Sequence, residues 1–507
     1  MTSVEARPAG RPPSSFPSPS PSPASAAVPS SQRYRAVWRW HFYAGLFVAP
    51  VLLVLAVTGS IYLFKEPFEA WRYQDVRTLA GPVAAPRPLS EQIEAARRAR
   101  PGAPVVSVIP PAAPDRTTRV ILQGADADPG AQGVSVYVHP GTARVVGQID
   151  DATTFMRVVR TIHGELMSGT VGDRVVEVAA CWALILVASG TYLWWTGRRG
   201  RRGRAARSPR GRLRRLHVLA GVGAGAVVVF LVVSGLPWSG VWGDGLQRLQ
   251  ERTGSTAPSA ADFPHTSTPP LSGELSTHPD AKVPWAAERL PVPQSGTAAH
   301  GSGDPGSGDP GSGGEHAGHG GGGGVLRPGA LPVEAALAAA RPAVAACAEC
   351  DVKVLLPDGP TGVYTVVAEP RRDPSAARTL HVDQYTGRVL TSYGWAEYGT
   401  MAKLVEQGIA LHEGRRYGPA NVAVMLTACL ALITLVVTGV WMWWKRRPRG
   451  RAGAPARPTD RRTAYGVIAI MALLGLVFPL AGITMAAVLL LDRLVLRRVR
   501  AVARFVG

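Results

Sequence analysis

Cysteine is scarce: the 507-residue chain holds four, too few for a disulfide-built scaffold or for an iron–sulfur protein with clustered thiolates. Acidic residues are outnumbered, 35 Asp and Glu against 55 Lys and Arg, and all but five of those cations are arginine. The net charge of +20 excludes an acidic solvating protein and makes nucleic acid the first partner to test. No Ser/His/Asp arrangement, phosphate loop or HExxH is present, so hydrolase readings have no site. Residues 1–32 lack the apolar run of a cleavable signal peptide. This Pro/Ser/Ala-rich stretch reads as a disordered cytoplasmic tail, with the first span acting as its own insertion signal.

What is present in quantity is uncharged apolar sequence. The near-neutral mean hydropathy of +0.08 averages long greasy runs with Pro/Gly-rich segments. Spans are expected at 37–65, 172–196, 216–238 and 418–444, each long enough for a hydrocarbon core that takes about 20 helical residues. A fifth hydrophobic segment covers 464–492. Short loops rich in arginine stay in the cytoplasm. The loop 197–215 carries ten arginines and 445–463 carries eight basic residues, while Arg33, Arg35 and Arg39 precede the first span. The long segments between spans then lie outside, and the basic excess records membrane threading, which removes the nucleic-acid reading and leaves membrane lipid as the partner. The fifth segment, with Pro479 and Gly482 at its middle and arginines after it, either crosses as a kinked helix or folds back as a re-entrant hairpin; crossing is preferred.

Two external segments repeat one pattern. Residues 89–150 read as an amphipathic helix followed by alternating strands and a turn at Gly141-Thr142-Ala143-Arg144-Val145. Residues 331–391 repeat that order and close on Tyr385-Thr386-Gly387-Arg388-Val389. Between them, 254–330 reads as a disordered linker, with His300, His316 and His319 in its Gly-rich part. Cys347 and Cys350 suggest a local structural disulfide, and Cys181 and Cys429 core positions.

The repeat extends into the membrane. His41 stands 18 residues before Gly59, and His217 stands 18 before Gly235; each has arginine two residues earlier (Arg39, Arg215) and glycine four residues later (Gly45, Gly221). His163 and His412 each stand 27 residues before a glycine, Gly190 and Gly439. A duplicated helix–domain–helix unit packed with two-fold symmetry would pair His41 with His217 near the cytoplasmic side and His163 with His412 near the outer side. Facing histidines are how a helical bundle holds b-type haem, so these four are expected as axial haem-iron ligands for two haem b groups. Gly45 and Gly221 would leave room for the porphyrin face, and Arg39 and Arg215 would pair with propionates. The tryptophans at the inner span ends read as an interfacial belt.

Trp40-His41-Phe42-Tyr43-Ala44-Gly45, Ile162-His163-Gly164, Ser234-Gly235-Leu236-Pro237-Trp238, His412-Glu413-Gly414, Thr438-Gly439 and Phe478-Pro479-Leu480-Ala481-Gly482, taken in order, resemble the PepSY-associated transmembrane family, often called iron-regulated membrane proteins. The two external segments resemble PepSY domains, best at Val382 to Val389. The fold class expected is an α-helical membrane protein of duplicated two-helix units, with two extracytoplasmic α+β PepSY-like domains and a fifth C-terminal hydrophobic segment. The resemblance implies a bacterial inner (plasma) membrane protein linked to iron uptake. Some members are haem-containing reductases of ferric siderophores. An electron from an unidentified donor would enter near His41 and His217, pass to His163 and His412, and reduce an external ferric chelate or siderophore. The alternative is a non-enzymatic PepSY scaffold that binds a peptide or protein partner.

Overall fold

The computed structural model describes residues 30–123, 133–198, 209–253, 270–296 (without 277), 328–448 (without 348) and 461–491, with 453, 493, 494 and 498. The expected tail up to residue 29, and His300, His316 and His319, lie outside the described residues. Among the described residues the helices of eight residues or more are α1 (Ser30–Tyr62), α2 (Lys65–Arg72), α3 (Leu89–Ala99), α4 (Phe155–Glu165), α5 (Gly169–Arg198), α6 (Pro209–Gly235), α7 (Gly240–Thr253), α8 (Val333–Ala345), α9 (Thr400–His412), α10 (Pro419–Arg446), α11 (Arg461–Val477) and α12 (Pro479–Leu491). The strands are β1 (Val105–Ile109), β2 (Thr118–Leu122), β3 (Val134–Val138), β4 (Val145–Asp150), β5 (Cys350–Leu355), β6 (Val363–Pro370), β7 (Arg378–Asp383) and β8 (Val389–Gly394).

Four helices, α1, α5, α6 and α10, are long and apolar enough to cross a membrane. They pack as a ring, α1 against α5 and α10, and α6 against the same two. Their hydroxyls stay inside this apolar environment by bonding to carbonyls one turn back, as Thr58 does to Val54 and Ser234 to Phe230, both at 2.7 Å. The remaining hydrophobic segment departs from the expected crossing. At about 1.5 Å per residue neither α11 nor α12 reaches the roughly 30 Å of a hydrocarbon core. They fold back on each other at Phe478–Pro479: a Cβ placed on Gly475 would stand 3.1 Å from the Gly482 Cα. Proline supplies the break, because it has no N–H to continue the helix, and the paired glycines let the two arms touch. Trp182 on α5 donates to Thr484 on α12 at 3.1 Å and fixes the hairpin to the bundle.

The two repeats outside the apolar helices form one antiparallel sheet, in the order β4-β3-β2-β1-β5-β6-β7-β8. The two small domains expected from the sequence thus share a layer. The halves join where β1 meets β5, with Ser107 opposite Leu355 and Val108 opposite Val354. Each half is a four-stranded meander with a bulge at matched positions, Tyr137/Val138 and His381/Val382. Helices α3 and α8 cover one face and share a core of Ile93, Ala96, Val120, Val136, Ala340, Val366 and Val382. Cys347 and Cys350 are joined in a disulfide at the entry to β5.

The opposite face, from which α4 and α9 lead back to the bundle, is covered by residues 270–296. The sequence reading placed these in a disordered linker. Instead they form a strap of short 3-10 turns, with Val283, Ala287 and Leu290 packed on Leu355, Val367, Tyr393, Tyr398 and Ala402. Its end is held by two backbone N–H groups, Ser295 donating to the Thr361 carbonyl and Gly296 to the Asp383 carboxylate, both at 2.9 Å. The physical reason is burial by a few isolated apolar residues, which offsets the ordering cost without any periodic pattern.

The two sheet halves differ at their closing turns. Gly387 has φ +68°, and the matching position holds Ala143 at φ +52°. A Cβ in left-handed backbone costs about 1 kcal/mol. Ala143→Gly is therefore expected to stabilise the protein by about 1 kcal/mol, read as a raised denaturation midpoint, whereas Gly387→Ala lowers it.

Candidate functional site

Each of the four histidines seats its ring against a small residue on a neighbouring helix. His41 of α1 lies against Gly190 of α5, and His163 of α4 against Gly59 of α1. In the second repeat His217 of α6 lies against Gly439 of α10, and His412 of α9 against Gly235 of α6. A Cβ on these glycines would stand 3.1, 3.3, 3.5 and 3.4 Å from the four Cε1 atoms, in that order. The glycines found by spacing are thus the floors of ring slots. They work in exchange: each helix of a unit carries the floor for the histidine associated with the other.

The residue before each floor glycine completes the slot. Nδ1 of His41 contacts Ser189 Oγ at 2.8 Å, His163 contacts Thr58 Oγ1 at 2.9 Å, His217 contacts Thr438 Oγ1 at 3.0 Å and His412 contacts Ser234 Oγ at 2.9 Å. Each hydroxyl spends its own hydrogen on a carbonyl of its helix, so it accepts from the ring. Nδ1 therefore carries the proton in all four rings, and Nε2 holds the free lone pair. A hydrogen bond that fixes the tautomer and turns the other nitrogen outward is the usual support of a metal-bound imidazole.

These hydroxyls were missed in the sequence, although the signal stands there four times: Leu55-Ala56-Val57-Thr58-Gly59, Leu186-Val187-Ala188-Ser189-Gly190, Leu231-Val232-Val233-Ser234-Gly235 and Leu435-Val436-Val437-Thr438-Gly439. Leucine supplies the carbonyl, Ser/Thr the hydroxyl and glycine the floor.

The histidines also fall into two layers. His41 and His217 are within electrostatic reach of each other, as are His163 and His412. In the His163/His412 layer, burial pushes both imidazoles down to about 4, His163 being lowered further by His412. Both are neutral at physiological pH, which a ligand nitrogen requires. The indole of Trp238 meets the His412 ring edge-on at 6.3 Å.

A family model for the PepSY-associated TM region matches residues 38–446, which contain all four slots. The chain belongs to the PepSY-associated transmembrane family. A search of curated proteins returns no match.

Within this PepSY-associated protein Gly45, Gly221, Arg39 and Arg215 have the following neighbours. Gly45 and Gly221 face Leu186 and Leu435, 3.7 and 3.5 Å from where their Cβ atoms would sit, and so set helix–helix approach. Arg39 stacks over Tyr43 at 5.0 Å, and Arg215 is exposed. Among the described residues no group of three or more His, Cys, Asp or Glu could hold a metal ion. Two imidazoles per layer suit a metal that brings its other donors with it, as porphyrin iron does.

Proposed function

We propose that this protein holds two haem b groups, one in the His41/His217 layer and one in the His163/His412 layer, and passes electrons across the bacterial inner membrane to an external Fe(III) chelate such as a siderophore. The observation that carries the reading is the fourfold slot, in which every ring keeps Nδ1 protonated and Nε2 free, at two depths of one bundle. When bound, haem supplies one-electron Fe(III)/Fe(II) chemistry. The chain contributes the rest. Its slots orient the imidazoles before any ligand arrives, its apolar helices exclude water, and its hydroxyl–carbonyl pairs raise the basicity of the ligand nitrogens. Reduction releases iron from hard oxygen chelators because Fe(II) binds them more weakly. The hairpin supports the same threading, with the arginines before and after it on the cytoplasmic side and the sheet outside.

The test is the absorption spectrum of full-length protein purified from cells with ample haem. The expected result is a Soret band of bis-histidine character, two haems per chain, and reduction of an Fe(III) chelate presented on the sheet side of proteoliposomes. Colourless protein under those conditions overturns the reading and leaves the PepSY sheet as a binding scaffold.

A further inference from the structure

The undersides of the two sheet halves are used differently. By strand register Arg119, opposite Tyr137, corresponds to Thr365, opposite His381. Under the second half the strap fills the space with Val283, Ala287 and Leu290. Under the first half the same strap contributes His278, Pro279 and Asp280, and a cavity of about 50 Å³ stays open between the sheet, α2 and α4. That is room for a few water molecules or one small polar group.

The cavity wall is over-supplied with positive charge. Lys65, Arg77, Arg119, Arg157 and Arg160 line it, against the carboxylates of Glu69, Asp151 and Asp280. The carboxylates are already engaged. Arg119 pairs with Asp151 at 3.1 Å and Asp280 at 2.9 Å, Arg77 with Glu69 at 3.2 Å, and Asp151 also meets His278 at 3.1 Å and the Ser135 hydroxyl at 2.6 Å. Arg157 has no such pairing among the described residues: its Nε is a buried donor with no acceptor, Glu165 and Asp280 act on the half-buried guanidinium only at longer range, and Arg160, one turn on, adds a second positive charge. A buried donor without an acceptor is costly.

We propose that this cavity is a binding site for a small oxyanion, a carboxylate or phosphate-type group, with Arg157 as its principal donor and Lys65 and Arg160 supplying the surrounding field. For a free anion the site is independent of whether the bundle holds haem; for an acid group carried into the bundle it rests on that reading. Two sources carry this chemistry: a free anion entering from outside, or an acid group on a molecule bound in the bundle, since α4 bears both Arg157 and His163.

Thermal unfolding of the full chain in detergent tests this, with inorganic phosphate, malonate or haemin as additive. The unfolding midpoint of the parent is expected to rise saturably, while Arg157→Gln, which leaves the unliganded midpoint unchanged or higher, needs at least about tenfold more ligand for the same rise. Arg157→Lys, which keeps the charge but not the planar fork, falls between. An Arg157-dependent response to phosphate or malonate assigns a free anion; one confined to haemin assigns an acid group carried into the bundle. Responses that are the same in the parent and both variants, or absent, overturn the site.

Discussion

His412→Ala protein is expected to keep about half of the parent's haem, the remaining group retaining its bis-histidine spectrum, because the outer layer alone has lost a ligand. The slot explains why the effect should be local. His412 meets Ser234 and Gly235 on α6, whereas His217 on the same helix meets Thr438 and Gly439 on α10, nearer the other surface. The four rings share no hydroxyl, so one slot can empty without unseating its neighbours. His163→Ala should reproduce the loss, and the double variant should lose no more than either single one, since both residues serve one site. His41→Ala and His217→Ala should remove the other haem. Haem content by pyridine haemochrome and low-temperature spectra of the reduced protein separate the cases. If His163→Ala and His412→Ala empty different sites, the layer assignment fails; if neither changes haem content, haem ligation at these residues fails with it.

The matched spacing of the four histidines to Gly59, Gly190, Gly235 and Gly439 was legible in the sequence because a duplication writes each spacing twice, and coincidence rarely does so; that these glycines lie under the rings was not. The hydroxyls stood beside those glycines and escaped notice because Ser and Thr in a membrane helix read as ordinary back-bonded residues. Other features depend on partners far away in the chain. That β1 pairs with β5 follows from the meeting of two edges, and neither Ser107 nor Leu355 announces its neighbour. The strap lacks helical or alternating pattern, so Val283, Ala287 and Leu290 read as isolated apolar residues in a Pro-rich stretch until the sheet is in place. Pro479 marked a break, but whether the chain bends slightly or turns back rested on Gly475 meeting Gly482 seven residues on, a contact between helices and not within one.

The strap also imposes a pH dependence on the helix that presents His412. Glu406 of α9 is buried at 6% exposure, beneath the strap, and its Oε1 accepts the Ala286 N–H at 2.9 Å. Burial pushes its carboxyl up to about 7 from 4.5, against the lowering effects of the Ala286 bond and Arg415, and with raising contributions from Glu369 and Glu413. The folded protein thus favours the protonated acid more than the unfolded chain does. This contribution to stability is fully present below about pH 4.5 and is lost as pH rises through about 7, with each pH unit of difference worth about 1.4 kcal/mol. Glu406→Gln keeps an oxygen for Ala286 and cannot ionise. It is expected to change stability little at pH 5 and to stabilise by about 3 kcal/mol at pH 8, read as denaturant midpoints at the two pH values. An equal effect at both would show that Glu406 stays ionised, or stays protonated, across the whole range. Glu406 and His412 share one short helix, Thr400–His412.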